Sequence, residues 1–279
     1  MKIGLVTDST SDIPADLAGQ YGIQIIPAVV NINGKSYSDG LEISREEFYT
    51  RLPQLDPPPM TSSPSVGVFQ QAYERLFKAG MDLILSIHAA NELSGIFNAA
   101  RLAAQEFDQR VEVMDSGQVS LGLGFQVMAA AEEAARGGLL KDVLATMENV
   151  RERVRLAALL ESIDYVRRSG RVSWAVGMIG SVLRLQPLVE LRHGLVYRLG
   201  QARTRLQGIE RLMEALNSWG PLERLAVLHT NAEYAALQLL EDVKTRVSQV
   251  PLLINVTTAI GTHVGPNALG FVAVRVQDR

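Results

Sequence analysis

Short apolar runs that end in small polar residues alternate with stretches of helical periodicity through the first half of the chain. The runs cover residues 2–7, 23–33, 83–87 and 111–114, and we interpret them as strands. Residues 65–79 place apolar side chains close to a period of 3.6, which predicts an amphipathic helix, and residues 118–136 and 140–153 also indicate helices. This alternation is typical of a parallel sheet with crossover helices, as in Rossmann-like α/β domains.

The pattern changes beyond about residue 155. Residues 187–191 and 195–198 flank an Arg-His-Gly turn, which predicts an antiparallel hairpin. Further helices are predicted at 205–217 and 232–247, and further strands at 225–229, 252–257 and 271–276. We therefore predict two domains: an α/β domain over residues 1–155, and a smaller α+β domain with a mostly antiparallel sheet over residues 156–279.

The composition is that of an ordinary globular protein, with 279 residues, 47% hydrophobic and 20% charged. With no cysteine, the chain has no disulfide framework, thiol nucleophile or cysteine-based metal site. The first residues become polar too soon for the apolar core of a secretion signal, and the longest uncharged stretch, residues 247–274, is interrupted by Pro, Gly, Asn and His. We expect a cytoplasmic protein without a transmembrane segment.

Signatures of nucleotide and metal cofactors are missing from the sequence. It has no G-x-x-x-x-G-K-[ST] motif, and its one G-x-G, Gly122-Leu123-Gly124, lies in a helical stretch without a third glycine. The four histidines are widely separated, and none has a ligand spacing typical of zinc. We expect no metal site and no cofactor.

The formal net charge is −3, from 27 Lys plus Arg against 30 Asp plus Glu, which disfavours a general nucleic-acid binder. The charge is unevenly spread, because residues 167–205 contain eight arginines and one acid, Glu190. Such clustering attracts phosphodiesters or a phosphorylated ligand, and it is equally compatible with a solvated face. A regulatory or nucleic-acid-binding function therefore remains the third-ranked hypothesis.

Polar turns follow two of the predicted strands. Asp8 and Ser9 open a DSTSD turn after the first strand, and Asp115 opens a DSG turn after the fourth. Because ligands of parallel sheets bind at the carboxyl ends of strands, these three residues define one candidate crevice. For Asp12, simple capping of the following helix is the favoured interpretation. For Asp8 and Ser9 both interpretations remain open.

A second hydroxyl-rich turn, TSSPS, precedes the helix predicted at 65–79. Pro64 suits the first turn of that helix and Ser63 its N-cap, which leaves Thr61 and Ser62 free just outside it. The NELSG turn that contains Ser94 repeats this arrangement. Two helix N-termini fringed with hydroxyls offer N–H and O–H donors to an anion, although each turn taken singly is compatible with capping alone.

The last cluster, residues 261–270, holds three glycines and a proline around His263 between two predicted strands. Glycine is costly to order, so its density in a connector indicates unusual dihedral angles or the close approach of a ligand. A structural role for His263 and a functional one are about equally supported by the residues alone.

Taken together, these segments resemble the DegV family of bacterial fatty-acid-binding proteins, over nearly the whole chain. The segments that carry the resemblance are Asp8-Ser9-Thr10-Ser11-Asp12, Thr61-Ser62-Ser63-Pro64-Ser65, Leu93-Ser94-Gly95, Ser169-Gly170-Arg171-Val172 and Gly261-Thr262-His263-Val264-Gly265-Pro266. The resemblance implies a non-catalytic, two-domain protein that holds one long-chain fatty acid, such as palmitate, between its domains. In some members it implies the lipid-binding subunit of a two-component fatty acid kinase, which presents the carboxylate to a separate ATP-dependent subunit in phospholipid metabolism.

The resemblance also assigns roles to residues. Thr61 and Ser94 match the family positions that hydrogen-bond the carboxylate, and His263 matches the histidine near the head group. The adjoining positions Ser62, Gly95 and Thr262 fall in the same binding motifs. Arg171 and Arg203 fall in arginine-containing segments suited to a phosphate or a kinase subunit. The sequence departs from the commoner family pattern at Ser63, His88-Ala89, Gln186 and Asn267.

The runner-up is an acyl hydrolase or acyltransferase, with Ser94 as nucleophile, His263 as base and Asp8 or Asp115 as the orienting acid. The stretch Glu92-Leu93-Ser94-Gly95 lacks the G-x-S-x-G elbow, which opposes it. For the leading function we expect a fatty acid as ligand and no nucleic-acid partner. Transient contact with a membrane is left open.

Overall fold

The computed structural model describes residues 1–176 and 185–277, whose strands form three sheets. The strands are β1 (Ile3–Asp8), β2 (Gln24–Ile26), β3 (Val29–Ile32), β4 (Lys35–Ser38), β5 (Met60–Ser62), β6 (Leu83–His88), β7 (Val111–Asp115), β8 (Val154–Leu159), β9 (Gln186–Arg192), β10 (Leu195–Ala202), β11 (Leu222–His229), β12 (Leu252–Asn255) and β13 (Leu269–Arg275). The α-helices are α1 (Ala15–Gln20), α2 (Arg45–Arg51), α3 (Val66–Lys78), α4 (Ile96–Ala104), α5 (Leu121–Ala135), α6 (Leu140–Arg153), α7 (Ile163–Ser169), α8 (Ser173–Val176), α9 (Arg205–Ser218), α10 (Glu233–Val243) and α11 (Thr258–Val264).

The first sheet is parallel, with strand order β2-β1-β6-β7. Alternate residues of its strands face opposite sides, so Val6 and Ile84 pack with α3 and α4, while Leu5 and Leu85 pack with α5. The predicted Rossmann-like sheet with crossover helices is confirmed.

The second sheet has six strands in the order β10-β9-β8-β13-β11-β12, antiparallel except for the β11–β12 pair. One face packs against α9 and α10, and the other packs in part against α5 and α6. This confirms the predicted α+β part with a mostly antiparallel sheet. The division at residue 155 stays a prediction, because α5 lies between the two sheets and joins their cores.

The third sheet, β4-β3-β5, is small and antiparallel, and the sequence analysis missed it. The predicted strand at 23–33 is interrupted at Pro27-Ala28, and its halves enter different sheets as β2 and β3. In this small sheet Val30 pairs with Thr61 and Val29 with Ser62. The TSSPS turn therefore begins as an edge strand, which fixes the position of its first two hydroxyls.

Two predicted helix caps are wrong. Helix α3 begins at Val66 with Ser65, not Ser63, as N-cap, because Ser65 is the residue at which the extended backbone ends. Helix α1 follows Pro14 with no side-chain cap, and Asp12 instead accepts hydrogen bonds from the distant Thr257 N–H and Ser120 hydroxyl.

The expected connector at residues 261–270 is also corrected, because the helix α11 runs through His263. Its first turn is held by Asp39, whose carboxylate accepts hydrogen bonds from the Thr258 N–H and hydroxyl. A Cβ at Gly261 would overlap the ring of Tyr49, so the glycine serves close helix packing rather than a loop. The helix places His263 beside Thr61 on β5 of the small antiparallel sheet.

Candidate functional site

A cavity of about 190 Å³ lies where loops at the carboxyl ends of the parallel strands meet one face of the six-stranded sheet. Loops that follow β1, β2 and β6 contribute Thr10, Ala28 and Ala89 to its wall. This is the edge at which open parallel sheets bind ligands. Most lining side chains are aliphatic; they include Leu93, Ile96, Val119, Leu156, Leu160, Val172, Val189, Leu191, Leu228, Val256 and Ile260.

Small residues at the centre of the six-stranded sheet form a trough in the cavity floor. The register places Val189, Ala158, Gly270 and Leu228 side by side across four adjacent strands. Ala158 is partly exposed although its strand is central, since it faces the cavity. A Cβ at Gly270 would lie 2.9 Å from the carbonyl oxygen of Ala157. The floor therefore lacks bulky side chains at its middle.

The predicted binding residues lie in the wall of this cavity. Thr61, Ser62, Ser94 and His263 all line the cavity. The Thr61 Oγ1 atom lies 2.8 Å from His263 Nε2, and the Ser94 hydroxyl oxygen accepts a hydrogen bond of 3.3 Å from the Ile96 N–H. Three elements distant in sequence, β5, the loop before α4 and α11, thus bring the predicted binding residues together.

The environment of His263 keeps its imidazole neutral. Burial, helped by the nearby Arg171 guanidinium, lowers the pKa of His263 to about 3. A neutral ring carries one N–H. When that hydrogen is on Nε2, the ring donates to Thr61 Oγ1, and the threonine hydroxyl is left to donate into the cavity.

The two arginines of the predicted phosphate- or partner-facing set lie in different places. Arg171 is exposed and lines the cavity, with its Nη1 donating to the Ser169 carbonyl oxygen at 2.7 Å. Arg171 and the exposed Ser62 lie at the mouth of the cavity. Arg203 is exposed just before α9 and does not line the cavity.

Other predicted site residues support the walls without lining them. The Thr262 hydroxyl donates to the Thr258 carbonyl within α11. A Cβ at Gly95 would lie 3.0 Å from the Ser63 hydroxyl oxygen, so the glycine lets the TSSPS and NELSG turns approach each other. The sequence also suggests Val29, Val30, Ile96, Phe97 and residues 172–185 as candidate wall residues. Ile96 and Val172 line the cavity, Val29, Val30 and Phe97 do not, and residues 177–184 lie outside the described residues.

The candidate crevice residues are engaged in structural hydrogen bonds. Asp8 accepts from the Ala89 N–H at 3.1 Å and lies 2.9 Å from His88 Nδ1, all fully buried. The Ser9 hydroxyl donates to Asp39 at 2.6 Å. Asp115 accepts from the Gly117 N–H at 2.8 Å. These residues shape the loops from which Thr10 and Ala89 reach the cavity.

Comparison with known proteins identifies the family. The family model described as "Uncharacterised protein, DegV family" matches residues 2–276. The chain belongs to the DegV family.

Relatives and solved structures agree along the whole chain. A DegV domain-containing protein of Streptomyces coelicolor is 34% identical over 274 residues, with 97% of each chain covered. The structure of a DegV family protein from Thermus thermophilus, described for its fatty acid binding, matches with a TM-score of 0.90 at 33% identity. The match covers 99% of this chain and 100% of that chain. DegV of Bacillus subtilis, a fatty acid binding protein, has a TM-score of 0.87 at 30% identity, over 99% and 100%.

The contacts in this DegV chain do not assemble the hydrolase constellation. His263 contacts Thr61 rather than Ser94, and Asp8 contacts His88 rather than His263. Within residues 1–176 and 185–277, no group of three or more His, Asp or Glu is arranged to hold a metal ion. In the same part of the chain, no helix combines the length and the hydropathy needed to span a bilayer.

Sequence reasoning missed Asp39, which holds elements of this DegV site in place although it does not line the cavity. Its buried carboxylate also accepts hydrogen bonds from the hydroxyls of Ser9 and Thr257. It thereby fixes the β1 loop and the start of α11 relative to each other. Asp39 lies in a polar turn without a recognisable motif, so no sequence signal singles it out.

Proposed function

We propose that this protein binds one long-chain fatty acid in the cavity between its two main sheets, with the carboxylate accepting hydrogen bonds from the hydroxyls of Thr61 and Ser94. The observation that carries the proposal is the Thr61–His263 contact of 2.8 Å in the wall of a mainly aliphatic cavity. The fatty-acid-binding relatives at 33% and 30% identity support it.

The energetics favour an acyl chain in such a cavity. Burial contributes about 0.8 kcal/mol per CH₂, so roughly fifteen methylenes give a gross gain on the order of 12 kcal/mol before the costs of association. The head group is the difficulty, because a desolvated carboxylate costs several kcal/mol unless it receives strong hydrogen bonds. Hydroxyl donors at Thr61 and Ser94 meet that need.

The neutral His263 gives the head-group site its polarity. With hydrogen on Nε2, the ring donates to Thr61 Oγ1 and strengthens the threonine O–H as a donor to the carboxylate. The carboxylate thus meets directed donors, and Arg171 is the one Arg or Lys among the described residues of the wall. A carboxylate that is not tied into an ion pair keeps an oxygen available as a nucleophile.

We extend the proposal to a role as the non-catalytic subunit of a fatty acid kinase. A carboxylate oxygen would attack the γ-phosphorus of ATP bound to a separate subunit, which forms the acyl phosphate and releases ADP. The exposed Ser62 and Arg171 at the mouth support this role, since they lie beside the hydroxyls that hold the head group. The guanidinium would meet the transferred phosphoryl group.

Extraction of purified protein with organic solvent, followed by mass spectrometry, tests the ligand class. We expect a long-chain fatty acid at about one per chain, whereas repeated recovery of lipid-free protein from cells would contradict the proposal. For the head group, Thr61→Val removes one hydroxyl without loss of volume and should weaken palmitate binding about tenfold or more. Ser65→Ala, an exposed hydroxyl of the same turn outside the cavity, is the matched control.

The kinase role has a separate test. Incubation of the palmitate-loaded protein with ATP and an extract of its own cells should yield palmitoyl phosphate, trapped as the hydroxamate. Arg171→Gln should lower this yield while palmitate affinity is retained. Equal yield from Arg171→Gln and wild type would refute the proposed contact with the phosphoryl group.

A further inference from the structure

A second cleft, of about 550 Å³, lies on the opposite face of the six-stranded sheet from the lipid cavity. Side chains alternate along β8, so Leu156 and Ala158 face the lipid cavity while Arg155 faces the helix α9. The end of α9 forms the other wall, with Arg211 and Glu214. The cleft shares strands with the lipid cavity but none of its lining residues.

Four arginines converge on this cleft from three strands and one helix. They are Arg155 on β8, Arg192 on β9, Arg275 on β13 and Arg211 on α9. The acids in its wall are Glu190 and Glu214. The described wall therefore has two positive charges in excess.

The contacts of Arg155, Arg192 and Arg211 involve only one of the two carboxylates in the wall. Arg192 pairs with the buried Glu190, which consumes one of the two carboxylates. Arg211 donates from Nη1 to the Gln201 carbonyl oxygen, a neutral acceptor. Glu214 has no ion-pair partner within 4.0 Å among residues 1–176 and 185–277.

Arg155 is partly buried. Its Nη1 donates to the carbonyl oxygens of Glu152 and Val154 at 3.0 and 2.8 Å, and no carboxylate lies within 4.0 Å of it in the described part of the chain. Partial burial and the neighbouring guanidinium of Arg275 lower the pKa of Arg155. Like charges crowded on one sheet face are destabilising until an anion lies between them.

We propose that this cleft binds a small soluble anion with two linked phosphate groups. Guanidinium forks match phosphate oxygens in bidentate geometry, and a cleft of this size exceeds what a single phosphate fills. Arginines on four separate elements suit two phosphates rather than one. Leu188, Leu199 and Trp219 provide an apolar wall for an attached organic group.

Titration calorimetry with sodium pyrophosphate, at ionic strength held constant with sodium chloride, tests the proposal. We expect saturable one-to-one binding to the full-length protein. Arg155→Gln and Arg211→Gln should each weaken it about tenfold or more, the effect of removing a charge-assisted hydrogen bond. The exposed Arg246→Gln, outside the cleft, is the matched control and should bind as wild type does.

The variant Glu214→Gln provides a test whose expected result, tighter binding, cannot come from loss of folding. It removes a negative charge from the wall and should strengthen pyrophosphate binding about threefold or more. Absence of saturable binding to the wild-type protein would overturn the proposal. Binding that Arg155→Gln and Arg211→Gln leave unchanged would place the anion elsewhere and overturn it as well.

Discussion

The trough in the cavity floor predicts a strong effect of Ala158→Phe. Ala158 lies between Val189 and Gly270 in the cross-strand row, and its methyl group points into the cavity. A phenyl ring there would occupy the space of about four methylenes of an acyl chain. At about 0.8 kcal/mol for each methylene, palmitate binding should weaken by about 3 kcal/mol, or more than about a hundredfold in Kd.

Titration of a series of saturated fatty acids is the assay, because it separates lost volume from general damage. In the wild-type protein, each added CH₂ should tighten binding about fourfold until the cavity is full. In Ala158→Phe this gain should stop several carbons earlier, while short acids bind nearly as before. Ala145→Phe, the same change at an exposed position of α6, is the control.

The reasoning would be refuted by a variant that folds with the wild-type melting temperature and keeps the full chain-length dependence. Such a result would mean that the acyl chain does not lie along the Ala158 and Gly270 row. Loss of binding for short and long acids alike would also contradict it, since the phenyl ring is expected to leave the Thr61 hydroxyl accessible.

Three further predictions concern stability. Burial raises the pKa of Asp12 to about 6, so protonated Asp12 contributes about 3 kcal/mol to the free energy of unfolding, and this contribution is lost as the pH rises from about 4 through 6. Urea unfolding of Asp12→Asn should lack this pH dependence. Burial lowers the pKa of His263 to about 3, so the unfolded chain binds a proton more tightly than the folded one. The free energy of unfolding should therefore fall as the pH drops below about 6.5, and His263→Gln should remove this dependence. A wild-type pH slope in either variant contradicts its assignment. Gly261→Ala should destabilise by more than about 2 kcal/mol through overlap with Tyr49, and an unchanged urea midpoint would contradict that packing.

Elements with a strong hydrophobic period are predictable from the sequence. Helix α6 is predicted at its observed bounds, and β6 and β7 within one residue of theirs, because each carries its own run or period of apolar residues. Strands β3 and β5 were missed or merged, since each is short and half-exposed. Their pairing depends on residues about thirty positions apart, which no local pattern records.

The residues of the candidate site also differ in whether the sequence predicts them. Family resemblance predicts Thr61, Ser94 and His263 as head-group residues, and the fold brings all three to one cavity. Asp39 escaped notice because its function is to accept hydrogen bonds from Ser9 and from α11, partners far away in the chain.

Other contacts depend on spatial neighbours in the same way. His88 departs from the family's commoner residue and finds its partner, Asp8, on the adjacent strand. The arginine cleft likewise emerges only when β8, β9, β13 and α9 are assembled.

A crystal structure of the protein with bound palmitate tests the central claim most directly. We predict the carboxylate within hydrogen-bond distance of Thr61 Oγ1 and Ser94 Oγ, and the acyl chain over Ala158 and Gly270. A carboxylate bound elsewhere, or palmitate outside the cavity, would contradict the account.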